Sequence, residues 1–253
     1  FKNHIKEEED NEFTLPIIMR ERTGNQFQSF IRRDTSSYYR DVPFHYNPKL
    51  ITEILSDTLG REIHYTDSVL PADYEVLHSI PADTLFRRML LPSDNFIAEQ
   101  ILLNISMSLF GEMNTDKVIQ LISDKYLKEL PDRPRWVDGS GLSRYNLFTP
   151  RSIVQLLIMI DREVDDDGRL FSLLPAGGVT GTLQNSYRHP DGTGPWVFAK
   201  TGTLSNNHSL SGFIITKSGK KLIFSFMNNN YMVPASSIRS EMERILWTVH
   251  NAM

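Results

Sequence analysis

Pro195-Trp-Val-Phe-Ala-Lys-Thr-Gly-Thr-Leu204 is the stretch that orders the rest of the chain. Trp196, Val197 and Phe198 are strong strand formers, and Lys200-Thr201-Gly202-Thr203 follows with no helix signal. This predicts a strand whose end offers one ammonium, two hydroxyls and a glycine against which a ligand can lie close. Such a set suits an anion: Lys200 supplies charge, and Thr201 and Thr203 supply donors to a carboxylate. A Lys-Thr-Gly tripeptide alone is more often an exposed strand end entering a turn. Its neighbours decide.

Downstream, His208 to Thr216, a Lys217-Ser-Gly-Lys220 turn and Lys221 to Met227 predict an antiparallel meander with tight turns. A last helix, Ser236 to Asn251, would bury Ile238, Met242, Ile245, Leu246 and Val249. Upstream the pattern is helical. Asn47 as N-cap, Pro48 at the first position and Gly60 as stop predict a helix over 48–59, burying Leu50, Ile51, Ile54, Leu55 and Leu59. A second helix opens near Pro81 and buries Leu85, Phe86, Met89 and Leu90. Beyond the break at Leu91-Pro-Ser-Asp-Asn95, Phe96, Ile97, Ile101, Leu102, Ile105 and Leu109 recur at helical spacing and predict a buried helix. Two more are expected, at about 115–130 and at 149–164, the latter capped by Thr149 with Pro150 first. Residues 12–40 instead carry two strand-like segments, Phe13 to Met19 and Gln26 to Arg33, split by a Thr23-Gly-Asn25 hairpin turn. Helices in the middle and a meander closed by a terminal helix argue for an α+β layered domain.

Composition narrows the function. In 253 residues, 40% are hydrophobic and 23% charged, as in ordinary soluble proteins. A net charge of −4 provides no basic footprint, so no nucleic-acid partner is expected. The absence of cysteine excludes disulfides, thiolate metal sites and thiol nucleophiles. No apolar run reaches the ~18 residues that would span a bilayer, so no transmembrane segment is expected. The chain begins at Phe1, without a signal-peptide pattern, and soon meets the charge run Lys6-Glu-Glu-Glu-Asp10, a solvated loop; it reads as a chain entered partway.

Two further stretches carry chemistry. Ser93-Asp94-Asn95 lies on the bend between two helices, where a hydroxyl and an amide can face a cleft. Ser or Asp before an apolar helix is equally a common N-cap. Trp136-Val-Asp-Gly-Ser-Gly-Leu-Ser-Arg-Tyr-Asn146 has glycines at 139 and 141 that make a tight loop. Ser93-x-Asn95 followed about a hundred residues later by Lys200-Thr201-Gly202 resembles the motif pair of the active-site serine penicillin-recognising enzymes. With Asp138-Gly-Ser-Gly-Leu-Ser-Arg144 and Leu174-Pro-Ala-Gly-Gly-Val-Thr-Gly-Thr-Leu183, the chain resembles the low-molecular-mass class C penicillin-binding proteins, the D-alanyl-D-alanine carboxypeptidase/endopeptidase family of serine peptidases. Thr180 stands where that family usually has an acidic residue.

The resemblance runs from about Val42 to the carboxyl terminus. It implies a β-lactamase/penicillin-binding-protein transpeptidase-like fold, incomplete at its amino-terminal side. Residues 1–41 would be the tail of an inserted β-rich domain, and 42–253 the carboxyl-terminal part of the catalytic domain. It also implies acyl transfer on peptidoglycan stem peptides, acylation by β-lactam antibiotics, a periplasmic or extracytoplasmic setting, a possible homo-oligomer, and no metal or organic cofactor. Ser93 would relay a proton to the leaving amine and Asn95 would hold the substrate's backbone amide. Lys200, Thr201 and Gly202 would frame the terminal carboxylate, the Thr203 N–H would form half the oxyanion hole, and Arg144 would face the substrate's side chain. The family's nucleophile sits in a Ser-x-x-Lys tetrad upstream of Ser93. Here the only such tetrad is Ser218-Gly-Lys-Lys221, downstream of Lys200 and in a predicted turn, so residues 1–253 alone are expected to be inactive. Three other readings compete: a class A β-lactamase, although Glu99 to Asn104 is one residue too long for its Glu-x-x-Leu-Asn signature; a non-catalytic peptidoglycan-binding module; and a purely structural domain.

Overall fold

The computed structural model describes residues 5–8, 17–30, 42–69, 71–76 and 78–253, which divide into two compact units, 1–77 and 78–253. In the first unit, β1 (Ile5–Glu8), β2 (Ile17–Arg20) and β3 (Phe27–Phe30) form a sheet in the order β1-β3-β2. β2 and β3 are the expected antiparallel pair, with Ile18 opposite Ser29. β1 lies parallel to β3, a partner that no local pattern announces. Residues 13–16 and 31–33, into which the predicted strands extend, lie outside the described residues.

α1 (Pro48–Leu59) begins and ends where its cap signals put it. Asn47 Oδ1 accepts from the Leu50 N–H at 2.9 Å, and Gly60 takes φ 62° at the carboxyl end. Its expected burial is not found: Ile51, Leu55 and Leu59 are 39%, 41% and 54% exposed. Capping is local and fixes the ends, whereas burial depends on what meets the apolar face.

The second unit holds α2 (Ala82–Leu90), α3 (Asn95–Phe110), α4 (Thr115–Lys125), α5 (Pro150–Val164) and α6 (Asp167–Leu173). The meander β4 (Val197–Leu204), β5 (Asn207–Ile215) and β6 (Lys221–Asn229) follows in that spatial order, all antiparallel, and α7 (Ala235–Ala252) ends the chain. Side chains alternate across the sheet. On one face Val197, Ala199, Leu210 and Ile214 are buried with Met242 and Leu246 of α7. Each fully buried aliphatic chain there contributes about 1.5–3 kcal/mol. On the other face the Phe198 ring stacks on Phe171 of α6 at 4.2 Å between centroids, and Phe213 tilts against the same ring at 5.8 Å. Lys200, two residues after Phe198, therefore points to the helical side.

α6 escaped the sequence reading. Its start lies in Asp165-Asp-Asp-Gly168, which looks like a loop, yet Asp166 caps it by accepting from the Arg169 N–H at 2.9 Å. α3 is less buried than its apolar run suggests, with only Leu102 and Ser106 fully enclosed. The Ser218 tetrad is the predicted turn: Thr216 N–H donates to Lys220 O at 2.9 Å, and Lys221 pairs with Asp161 and Asp167 at 2.6 and 2.5 Å. Those pairs tie the start of β6 to α5 and α6.

Candidate active site

The site begins as an open strand edge. Residues 175–177 pair with the first half of β4: Ala199 N–H donates to Pro175 O at 3.0 Å and Gly177 N–H to Val197 O at 2.9 Å. Backbone groups in an antiparallel pair point alternately toward and away from the partner strand. Since the Ala199 N–H points away from β5, the N–H groups of Thr201 and Thr203 point to the same outer edge. From Lys200 onward the 175–177 segment no longer pairs with that edge, so the N–H groups of Thr201 and Thr203 lie on its unpaired part.

Lys200 projects from this edge onto the bend between α2 and α3. Its ammonium donates to Ser93 Oγ at 2.5 Å and to Thr201 O at 2.7 Å. Burial lowers its pKa below the ordinary lysine value. Among the described residues no carboxylate pairs with it. A half-buried ammonium without a counter-ion is a ready partner for an anion.

Ser93 has φ 63°, in the left-handed region that costs a non-glycine residue energy. The two possible duties of this bend are divided between neighbours. Asp94 is the N-cap of α3, its Oδ1 accepting from the Ile97 N–H at 2.9 Å. Ser93 makes no cap and turns its hydroxyl to Lys200. Asn95 opens α3 with an exposed side chain. Two motifs 107 residues apart thus meet in one contact.

The 174–184 segment locks this meeting. Thr182 N–H donates to Leu91 O at 3.1 Å, and Thr201 Oγ1 donates to Thr182 Oγ1 at 2.9 Å. A side chain at Gly181, whose φ is 59°, would come within 2.6 Å of Leu91 O, so only glycine allows this approach. Thr180, in the place of an acidic residue, uses its Oγ1 to accept from the Ala176 N–H at 3.0 Å, which closes the loop.

The Asp138 loop is seated on α3 and reaches the β4–β5 turn. Asp138 accepts from the Gly141 and Ser143 N–H groups at 2.5 and 2.8 Å and from Asn146 Nδ2 at 3.1 Å. Burial opposes its charge, but these bonds prevail and hold its pKa below the ordinary carboxylate value. Glu99 of α3 accepts from the Gly139 and Ser140 N–H groups at 2.9 and 3.1 Å. Arg144 does not reach Lys200 or Ser93: its Nη2 donates to Ser205 O at 3.0 Å, in the β4–β5 turn. Thr203 Oγ1 is 2.8 Å from Nδ1 of the buried His208, its cross-strand partner. The burial of His208, and then Arg239, lower that imidazole's pKa and keep it neutral at pH 7.

The structure therefore brings Ser93, Lys200 and Thr201 into direct contact, with Gly202 and Thr203 along the same edge, Asn95 on the bend and Arg144 at the far end of β4. His208 was missed by motif reading, and Thr182 and Glu99 lay in stretches it quoted without being given these roles. The His208 contact was accessible in principle, because a two-residue turn at Ser205-Asn206 fixes it opposite Thr203.

The sequence profile of the D-Ala-D-Ala carboxypeptidase 3 (S13) family matches residues 49–249. The carboxypeptidase DacB of Mycolicibacterium smegmatis is 29% identical over 160 residues, covering 61% of this chain and 35% of that protein. The D-alanyl-D-alanine carboxypeptidase DacB of Haemophilus influenzae is 29% identical over 164 residues, covering 60% and 33%. The chain thus spans about a third of the length of these curated relatives. Among solved structures, penicillin-binding protein 4 (dacB) of Haemophilus influenzae, complexed with a β-lactam, superposes with a TM-score of 0.65 at 20% identity, covering 94% of this chain and 59% of that one. The α+β fold is that of penicillin-binding protein 4.

Proposed function

The chain belongs to the D-Ala-D-Ala carboxypeptidase 3 (S13) family, and from that premise we propose that it forms the proton-relay and carboxylate-binding side of a serine acyl-transfer site acting on peptidoglycan stem peptides. The observation that carries this reading is the contact of Lys200 Nζ with Ser93 Oγ at 2.5 Å, made while Asp94 alone caps α3. A hydroxyl relieved of structural duty and bonded to an ammonium is suited to passing a proton.

In the proposed mechanism a serine outside these residues attacks the carbonyl between the two D-alanines, and the lysine of its own Ser-x-x-Lys tetrad takes its proton. Lys200 and the Thr201 hydroxyl bind the terminal carboxylate, the latter by exchanging Thr182 for the ligand. The substrate lies along the open edge of β4 as an added strand, with its amide near Asn95. The Thr203 N–H, on that edge, stabilises the oxyanion. As the carbonyl–nitrogen bond breaks, Ser93 Oγ–H protonates the leaving amine and is reprotonated from Lys200, which recovers its proton from the base that deprotonated the nucleophile. Water then releases the acyl group. β-Lactams enter by the same route, since they present a carboxylate next to a strained amide. This reading implies a periplasmic or other extracytoplasmic setting and places residues 42–253 in the catalytic domain.

The test is Lys200→Ala in the protein that joins these residues to its nucleophilic serine. Labelling by a fluorescent penicillin should slow at least about tenfold, equal to about 1.4 kcal/mol of transition-state stabilisation. Unchanged labelling in a folded variant would remove Lys200 from the mechanism.

A further inference from the structure

We propose that His208 is a positioning residue of the acyl-transfer site, holding Thr203 from the α7 side of the sheet so that the Thr203 N–H stays aimed along the open edge of β4; this rests on the oxyanion role of that N–H proposed above. The β4–β5 hairpin turns in two residues, Ser205 and Asn206, the latter at φ 61°. Leu204 and Asn207 face each other beside the turn, and Thr203 faces His208 one step further back. In an antiparallel ladder, opposed pairs alternately exchange both backbone bonds or neither. Ala199 donates to Pro175, outside the hairpin, so Ala199, Thr201 and Thr203 belong to the pairs that exchange none. At its own position Thr203 is therefore held to β5 by its side chain, through Oγ1 and His208 Nδ1 at 2.8 Å.

The support is fixed where the threonine is not. Gly202, just before Thr203, has no side chain and open space where one would start, so it adds no grip. His208 shares one face of β5 with Leu210 and Ile214, which are buried against α7, and is itself 2% exposed. A third aliphatic chain would pack there without penalty, whereas a buried imidazole costs stability unless its nitrogen is bonded. On the other side of β5, Asn228 of β6 donates through Nδ2 to His208 O at 3.4 Å and to Met242 Sδ of α7 at 3.2 Å. Burial, and then Arg239 of α7, lower the ring's pKa, so at pH 7 the support is neutral.

The two threonines of the edge thus differ. Thr201 Oγ1 bonds the Thr182 hydroxyl at 2.9 Å on the exposed side, where water or a ligand can replace that partner. Taking Thr203 from His208 would leave a buried ring nitrogen unpaired, so Thr203 keeps its partner. Thr201 is free to bind, and Thr203 is fixed and presents its backbone. An oxyanion donor is effective only if it already points to where the charge will develop. Loosening Thr203 should therefore slow the bond-making step and leave carboxylate binding alone.

The test is saturation kinetics of penicillin acylation in the protein that joins these residues to its nucleophilic serine. This separates the dissociation constant of the first complex from the rate of the covalent step. His208→Phe keeps a ring and removes the bond; His208→Asn restores a hydrogen-bonding atom near the place of Nδ1. The Phe variant should slow the covalent step at least about tenfold with the dissociation constant held within about twofold, and the Asn variant should recover to within about threefold of the parent. Thr203→Val should slow the step as His208→Phe does, and the double variant no further, because both delete one bond. A covalent step within about twofold of the parent in His208→Phe, a loss that appears in the dissociation constant, an Asn variant as slow as the Phe one, or additive losses would each overturn the role. If His208→Phe fails to fold, Thr203→Val decides, through its rate and through the imidazole nitrogen resonances of His208. Those resonances should shift when the hydroxyl is removed; unshifted, they would remove the bond itself. A parent that penicillin does not label would defeat the acyl-transfer reading and the positioning role with it, while the resonances still report on the bond.

Discussion

Removing the Ser93 hydroxyl separates chemistry from architecture, because Ser93 is strained and Asp94 is the cap. Two substitutions are needed. Ser93→Ala deletes the hydroxyl but keeps a β-carbon at φ 63°; Ser93→Gly deletes the hydroxyl and also relieves that conformation. A left-handed residue with a β-carbon costs about 1–2 kcal/mol, and glycine returns about 0.4–1 kcal/mol of this through the greater freedom of its unfolded chain. The glycine variant should thus be more stable than the alanine variant by about 0.5–1 kcal/mol. Both lose the bond to the Lys200 ammonium, and both should slow acylation by about a hundredfold, or about 2.7 kcal/mol. If Ser93 were the cap instead, alanine would cost about 1 kcal/mol of stability and glycine only a few tenths, with acylation largely intact. The assay is penicillin-labelling rate and melting temperature on one sample, in the protein carrying its nucleophile. Labelling within threefold of the parent in both folded variants would refute the relay; an alanine variant as stable as the glycine one would refute the strain.

Two further outcomes follow from the same contacts. Burial lowers the Lys200 pKa, so carboxylate affinity should fall as pH rises through that lowered value, at a pH where a free lysine still holds its charge. Between the two pKa values the unfolded chain binds more protons, so the Lys200 contribution to stability rises with pH there; Lys200→Ala should flatten both profiles, read by ligand titration and chemical denaturation. At Gly139 a β-carbon would stand 2.8 Å from Ala98 O, a backbone atom that cannot swing aside. Gly139→Ala should cost about 1–3 kcal/mol in thermal unfolding, and a change within 0.5 kcal/mol would show that the Asp138 loop is not seated on α3.

What was legible in the sequence was what is settled within a few residues. Asn47, Pro48 and Gly60 bound α1, and Thr149 and Pro150 start α5, because caps answer to their own backbone. The β4-β5-β6 meander was legible because short turns leave few alternatives. The open face of α1 was not, since periodicity says which side is apolar and not what meets it. α6 was hidden because three successive aspartates and a glycine look like a loop until Asp166 is seen to bind Arg169 N–H. At the bend, Ser93 and Asp94 were both credible caps, and only geometry divides the roles. Thr182 gains meaning only when Leu91 and Thr201, 110 residues apart, arrive on either side of it.

The contact between Ser93 and Lys200 also bears on what residues 1–253 do alone. A serine bonded to a buried lysine of lowered pKa has the parts of a nucleophile and its base. For that chemistry the amine must arrive unprotonated and accept from the hydroxyl. Lys200 does the reverse: it donates both to Ser93 Oγ and to Thr201 O, a carbonyl that only accepts. Two donated bonds favour the ammonium, which binds carboxylates and feeds protons but does not remove them. The other candidate, Ser218, sits in the β5–β6 turn, and its tetrad lysine is held by Asp161 and Asp167. The 253-residue chain should therefore form no covalent adduct with a fluorescent penicillin at neutral pH, although Lys200 and Thr201 can still bind carboxylates reversibly. A labelled band that survives boiling in detergent, and that Ser93→Ala abolishes, would make Ser93 the nucleophile and Lys200 its base.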